Sequence, residues 1–224
     1  MNKRYLTFLL FTVALIFILS CSPIQEAPKT TITPKTEPST GTKTQAETTQ
    51  EKPATEIAAD IEELLNKYKT RVSSIYYKYR GPETGSNFHE FYIKGNKIKY
   101  KPYLELKSLD LPESYDAIFI DKLAKTAQSY CIAAYCTYKG KKADLNYNDA
   151  YISTVFDWIS VTEAKKIGEE VIDNRNTWKI EPNKGILWID TFYGIPLKTE
   201  SGGKAYKFEQ LAVNSVQDAD VVPS

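Results

Sequence analysis

From residue 74 onward the apolar residues of this chain recur at every second position, and short direction-reversing pairs separate the runs. A period of two marks a strand with one buried face, and tight reversals join neighbouring strands antiparallel. Ser74–Arg80 alternates Ile75, Tyr77 and Tyr79 with Tyr76 and Lys78, and Gly81-Pro82 with Gly85-Ser86 turns the chain. Asn87–Lys94 and Lys97–Lys101 flank Gly95-Asn96, a strong two-residue hairpin signal. In the second arm Lys97, Lys99 and Lys101 form a row that reads as the solvent face. Ala164–Ile172 and Arg175–Glu181 flank Asp173-Asn174, a pair that tolerates positive φ. Pro182–Gly185 leads into Ile186–Asp190, and Asp190–Pro196 turns into Leu197–Glu200. Gly202-Gly203 precedes a last strand near Lys204–Val213, and the tail from Gln217 to Ser224 has no pattern.

Between these hairpins the pattern is looser. Tyr115–Asp121 and Thr126–Ala133 read as strands, Pro102–Ser114 and Tyr138–Tyr147 as loops, and Asn148–Ser160 as a stretch opening with a short helix. Ahead of the strands lies one helical pattern: Ile57, Ile61, Leu64, Leu65, Tyr68 and Val72 share a face, with Thr55 as N-cap. One amphipathic helix followed by serial hairpins gives an α+β, mainly antiparallel domain over 55–216, with a flexible tail at 217–224. Such a sheet curls, and the helix is expected on its concave face.

The N-terminus belongs to another regime. Lys3 and Arg4 precede the apolar run Tyr5–Leu19, which is short for a membrane-spanning helix, and Cys21 follows. Ile18-Leu19-Ser20-Cys21 resembles the lipobox of prokaryotic lipoproteins. That resemblance implies a signal peptide over 1–20, lipidation of Cys21 and a membrane-anchored, extracytoplasmic protein of the cell envelope. Residues 21–54, rich in Thr, Pro, Lys and Glu, cannot bury enough apolar surface to offset chain entropy and read as a disordered tether.

Cys131 and Cys136 close a short loop. In an exported protein a disulfide is the leading reading. Zinc would need more ligands than the single histidine, His89, supplies, and the spacing is not that of a redox Cys-x-x-Cys pair. With 29 basic and 28 acidic residues the chain has no field for nucleic acid. Chemistry is sparse. His89 reads as a surface or edge residue, Asp190 as a turn cap, and the neighbours in Glu62-Glu63 and Glu169-Glu170 point apart. No catalytic residue, cofactor site or metal site is expected, and no enzymatic activity.

Gly168–Arg175, Thr177–Glu181, Leu187–Asp190 and Gly194–Lys198 together resemble the outer-membrane-lipoprotein-sorting (LolA/LolB/RseB-like) superfamily over about thirty residues. Asn174 stands where that family has glycine, and it tolerates the same left-handed turn. The resemblance implies a LolA-like fold: a curved, open half-barrel whose concave face is apolar and covered by helices. It implies a lipid or acyl-chain ligand bound without catalysis, in an acceptor or sensor role. The alternative is a structural or interaction module, its cavity filled by its own helix and leucines, whose outer face binds a protein or other envelope component.

Overall fold

The computed structural model describes residues 57–103 and 114–223. The expected signal peptide, Cys21, the tether, Thr55 and most of the Pro102–Ser114 loop lie outside the described residues. The runs read as strands, joined by one further strand, β6, form one antiparallel sheet: β1 Ser74–Arg80, β2 His89–Lys94, β3 Lys97–Lys101, β4 Ala117–Asp121, β5 Thr126–Tyr130, β6 Lys142–Leu145, β7 Ala164–Ile172, β8 Arg175–Pro182, β9 Ile186–Asp190, β10 Pro196–Ser201 and β11 Lys204–Val213. Their order is β6-β5-β4-β3-β2-β1-β11-β10-β9-β8-β7. Two runs of hairpins therefore meet at a central β1–β11 pair, and the sheet stays open, with β6 and β7 as its edges.

Alternation puts the large apolar residues on one face. Cross-strand partners carry a continuous row over it: Tyr100 opposite Phe91, Phe91 opposite Tyr77, and Tyr79 opposite Phe208. A second row runs through Ile180 and Leu187 to Thr199. Short helices cover this face: α1 Ala59–Asn66, α2 Tyr68–Arg71, α3 Tyr147–Ala150 and α4 Val155–Trp158. Ile61, Leu64 and Leu65 of α1 are buried against Ile180, Leu187 and Ile189.

Several expectations are corrected. The single Ile57–Val72 helix is two pieces, starting after Ala58 and interrupted at Lys67. There the Lys67 amide bonds back to Leu64 O at 3.2 Å, a tighter turn, and the 191–194 turn docks alongside. The Lys67 ammonium donates to Thr191 O at 3.1 Å, and Arg71 donates to Phe192 O at 2.5 Å. The polar stretch Tyr138–Tyr147 contains edge strand β6, whose pairing to β5 compensates its weak pattern. Lys99, placed in a solvent row, is buried, with its ammonium 4.3 Å from the Tyr92 ring centroid. Burial, reinforced by the charge of Lys101, lowers its pKa, while Asp220 and Glu90 oppose that shift.

The tail is also structured. It forms a 3-10 turn at Asp218–Asp220, Val216 and Val221 are buried, and Asp218 pairs with Lys94 at 3.1 Å. Asn214 ties it down, accepting from the Ser73 amide at 2.8 Å and donating to Arg71 O at 3.0 Å.

Candidate functional site

The helix-covered face is where a ligand cavity is expected, and its content bears on both readings. At its centre four rings interlock: Tyr77 stacks on Phe91 at 5.2 Å and meets Phe208 edge-on at 5.5 Å, and Tyr79 meets Phe91 edge-on at 5.5 Å. All four side chains are essentially inaccessible. Above them sit Ala150 and Val155, both buried, with Tyr147, Tyr151, Phe156 and Trp158 packed alongside. The Tyr100 hydroxyl donates to Ala150 O at 3.1 Å and fastens α3 to the sheet. Phe156 packs on Tyr68 at 5.4 Å and Trp158 on Tyr206 at 4.8 Å. The space that would house an acyl chain is thus filled, among the described residues, by the chain's own rings.

One polar node is built into this plug. Thr154 and Asp157 form a capping box at the start of α4, and one Asp157 oxygen accepts from the Thr154 amide and hydroxyl, both at 2.7 Å. The same oxygen accepts from the Tyr151 hydroxyl at 2.6 Å, and the other accepts from Lys122 at 3.0 Å. Lys184 donates to the Asp157 backbone carbonyl at 2.9 Å. Burial works against the carboxylate, but the bonds from Tyr151, Thr154 and Lys122 outweigh it and hold its pKa below the usual aspartate value. Burial and the bond to Asp157 push the Tyr151 phenol up to about 12. Three of these four side-chain bonds converge on one oxygen, Oδ2, which makes Asp157 a clamp on α4.

Open grooves lie at the margins. One of about 350 Å³ opens between α2 and the β2–β3 turn, where Tyr68, Val72, Ile93 and Phe156 meet Lys69 and Lys122. A larger one, about 650 Å³, lies on the outer face near the disulfide loop. Its floor is the cross-strand row Lys78–Glu90–Lys101, with Phe88, Tyr103 and Tyr135 as walls. Neither the Asp157 node nor this row was singled out from the sequence. Thr154-x-x-Asp157 was a readable capping signal; the row needed the register of three strands.

The residues considered from the sequence fall apart in space. His89 begins β2, stacks on Tyr100 at 5.9 Å and accepts from the Tyr103 amide at 3.3 Å, and burial lowers its pKa. Asp190 is the turn cap expected of it: its Oδ1 accepts from the Phe192 and Tyr193 amides at 2.9 and 2.6 Å, and its Oδ2 from Arg175 at 3.3 Å. Glu169 and Glu170 stand opposite Trp178 and Thr177 on different faces. Cys131 and Cys136 form a disulfide with Cα atoms 6.1 Å apart. Among the described residues no group of three or more His, Cys, Asp or Glu is placed to hold a metal, and no helix is long and apolar enough to cross a membrane.

An unclosed antiparallel sheet with short helices across one face is the arrangement that the lipoprotein-sorting resemblance implies. No protein-family model matches the chain, and no curated protein does. Among solved structures it is similar to the MucA/MucB complex of Pseudomonas aeruginosa, at 13% identity over 74% of this chain and 62% of that one, with a TM-score of 0.41. It is similar to the lipoprotein LppX of Mycobacterium tuberculosis, at 14% identity over 72% of this chain and 97% of that one, TM-score 0.43. It is also similar to LprF from Mycobacterium bovis, at 11% identity over 75% of this chain and 98% of that one, TM-score 0.41. No residue is carried over from them.

Proposed function

We propose that this chain is a non-enzymatic binding module of the cell envelope, tethered to the extracytoplasmic face of a membrane through lipidated Cys21. Residues 1–20 act as the signal peptide and 21–54 as the spacer. The module engages an envelope protein through its surface. The observation that carries this reading is the filled face: Tyr77, Tyr79, Phe91 and Phe208 are inaccessible beneath α3 and α4. Binding of an acyl chain would first have to expel these rings, which costs several kcal/mol of buried apolar contact.

A lipid ligand is the second reading, and the groove between α2 and the β2–β3 turn favours it, because Val72, Ile93 and Phe156 there offer apolar surface. Native mass spectrometry of the full chain extracted from membranes separates the two. The expected result is protein mass plus its covalent anchor only, with no saturable uptake of a fluorescent fatty acid. A stoichiometric co-purifying lipid overturns the first reading in favour of the second. Cys21→Ser is expected to release the protein from the membrane fraction; unchanged retention refutes the anchor.

A further inference from the structure

The exposed edge of the sheet carries a charge pattern that is its own complement. Strand β7 is nine residues long and ends the sheet, with β8 as its sole strand neighbour among the described residues. Its centre reads Lys165-Lys166-Ile167-Gly168-Glu169-Glu170. Ile167 and Val171 on it are 41% and 64% exposed, among the most exposed large apolar residues described.

Antiparallel pairing of two copies about a two-fold axis between Ile167 and Gly168 sets Lys165 opposite Glu170 of the other copy and Lys166 opposite its Glu169. In a regular strand this fails, because residues an odd number apart point to opposite faces. Here the register shifts between Lys166 and Gly168, a bulge at Ile167. Lys165 lies opposite Glu181 and Glu170 opposite Thr177, positions of one face of β8; Lys166 lies opposite Ile180 and Glu169 opposite Trp178, positions of the other. The bulge therefore brings each lysine onto the same face as the glutamate it would meet in a second copy.

Lysines and a bulge on an edge strand ordinarily repel foreign strands. The two glutamates, placed symmetrically beyond the bulge, turn that repulsion into selectivity: unlike strands leave the charges unmatched, and an antiparallel copy matches all four pairs. The present partners do not prevent it. Lys165 pairs with Glu181 at 2.9 Å and Lys166 with Glu169 at 2.5 Å, ion pairs at the surface that exchange at little cost. Lys166 also lies over the Trp178 ring at 3.7 Å, and Glu170 accepts from Trp188 Nε1 through one oxygen, leaving its other oxygen for Lys165 of the second copy.

We infer that β7 is a homodimerisation edge, pairing antiparallel with β7 of a second copy of this chain and extending the sheet across the two-fold axis. The test is the mass of the full chain in detergent, by light scattering corrected for bound detergent, over a concentration series. Wild type is expected to dimerise. Lys166→Glu and Glu169→Lys, each reversing two of the four pairs, are expected to weaken dimerisation at least tenfold; both spare the bond from Trp188 Nε1 to Glu170 at 2.6 Å. An equimolar mixture of the two variants restores matched charges across the axis, so heterodimers should form with wild-type affinity. Circular dichroism melts confirm that each variant is folded. A monomeric wild type, a dimer indifferent to both substitutions, or variants that do not recover on mixing each overturn the proposal.

Discussion

Gly194 lies directly against the backbone of Leu64: a β-carbon on Gly194 would stand 2.3 Å from the Leu64 carbonyl oxygen, and the residue holds φ at +72°. The β9–β10 turn and helix α1 thus meet backbone to backbone. Gly194→Ala is expected to destabilise the domain by more than the ~1 kcal/mol that positive φ alone costs, since turn and helix must also separate. Gly202→Ala, also at positive φ but with open space around it, should lose only the smaller amount. Urea denaturation of both variants checks the difference.

Asp157→Asn should cost about 1–3 kcal/mol at neutral pH, because Lys122 loses its charged partner and Thr154 and Tyr151 lose a strong acceptor. The aspartate pKa is depressed in the folded state, so its contribution is present above the unfolded value of 3.8 and is lost as pH falls through the folded value. The gap between wild type and variant, measured by denaturant midpoints, should therefore narrow as the medium is acidified below that window.

The alkaline side has the opposite sign. Burial raises the phenols of Tyr100 and Tyr151 to about 12. Each favours the neutral form in the folded state, so stability is intact below pH 10 and declines as pH rises toward 12. Phenolate absorbance followed against pH, together with circular dichroism, should show these tyrosines ionising only as the fold loosens. Ionisation of every tyrosine near 10 in a fully folded protein would contradict the burial.

The disulfide loop is short, so its loss should be modest. Both sulfurs are buried, and Cys131→Ala/Cys136→Ala is expected to lower stability by about 2 kcal/mol. Unreduced, denatured protein should yield no thiol from either cysteine in a colorimetric titration.

Strand positions were readable wherever a tight pair set the register. Lys204–Val213 and Ala164–Ile172 fall where their flanking Gly202-Gly203 and Asp173-Asn174 place them. What was not readable depended on neighbours far along the chain. The break at Lys67 coincides with its contact to a turn more than a hundred residues later, and the burial of Lys99 coincides with a tail that packs back on the domain. The filled interior was equally hidden: the aromatic alternation of β1 and β2 fits a packed core or a cavity wall alike, and only the seating of α3 and α4 over Tyr77 and Phe91 decides which it is.

The central β1–β11 pair has a consequence for the order of events when the chain is made. Ile75 waits for Val213, and Tyr79 for Phe208, before the two halves of the sheet can join. Pairing at such sequence separation is slow, and a chain emerging N-terminus first cannot complete it until nearly the whole domain is out. Cys21 emerges far earlier. A membrane attachment made there would hold an unfinished sheet at the bilayer surface, with the unpaired edge of β1 exposed until its last strand arrives.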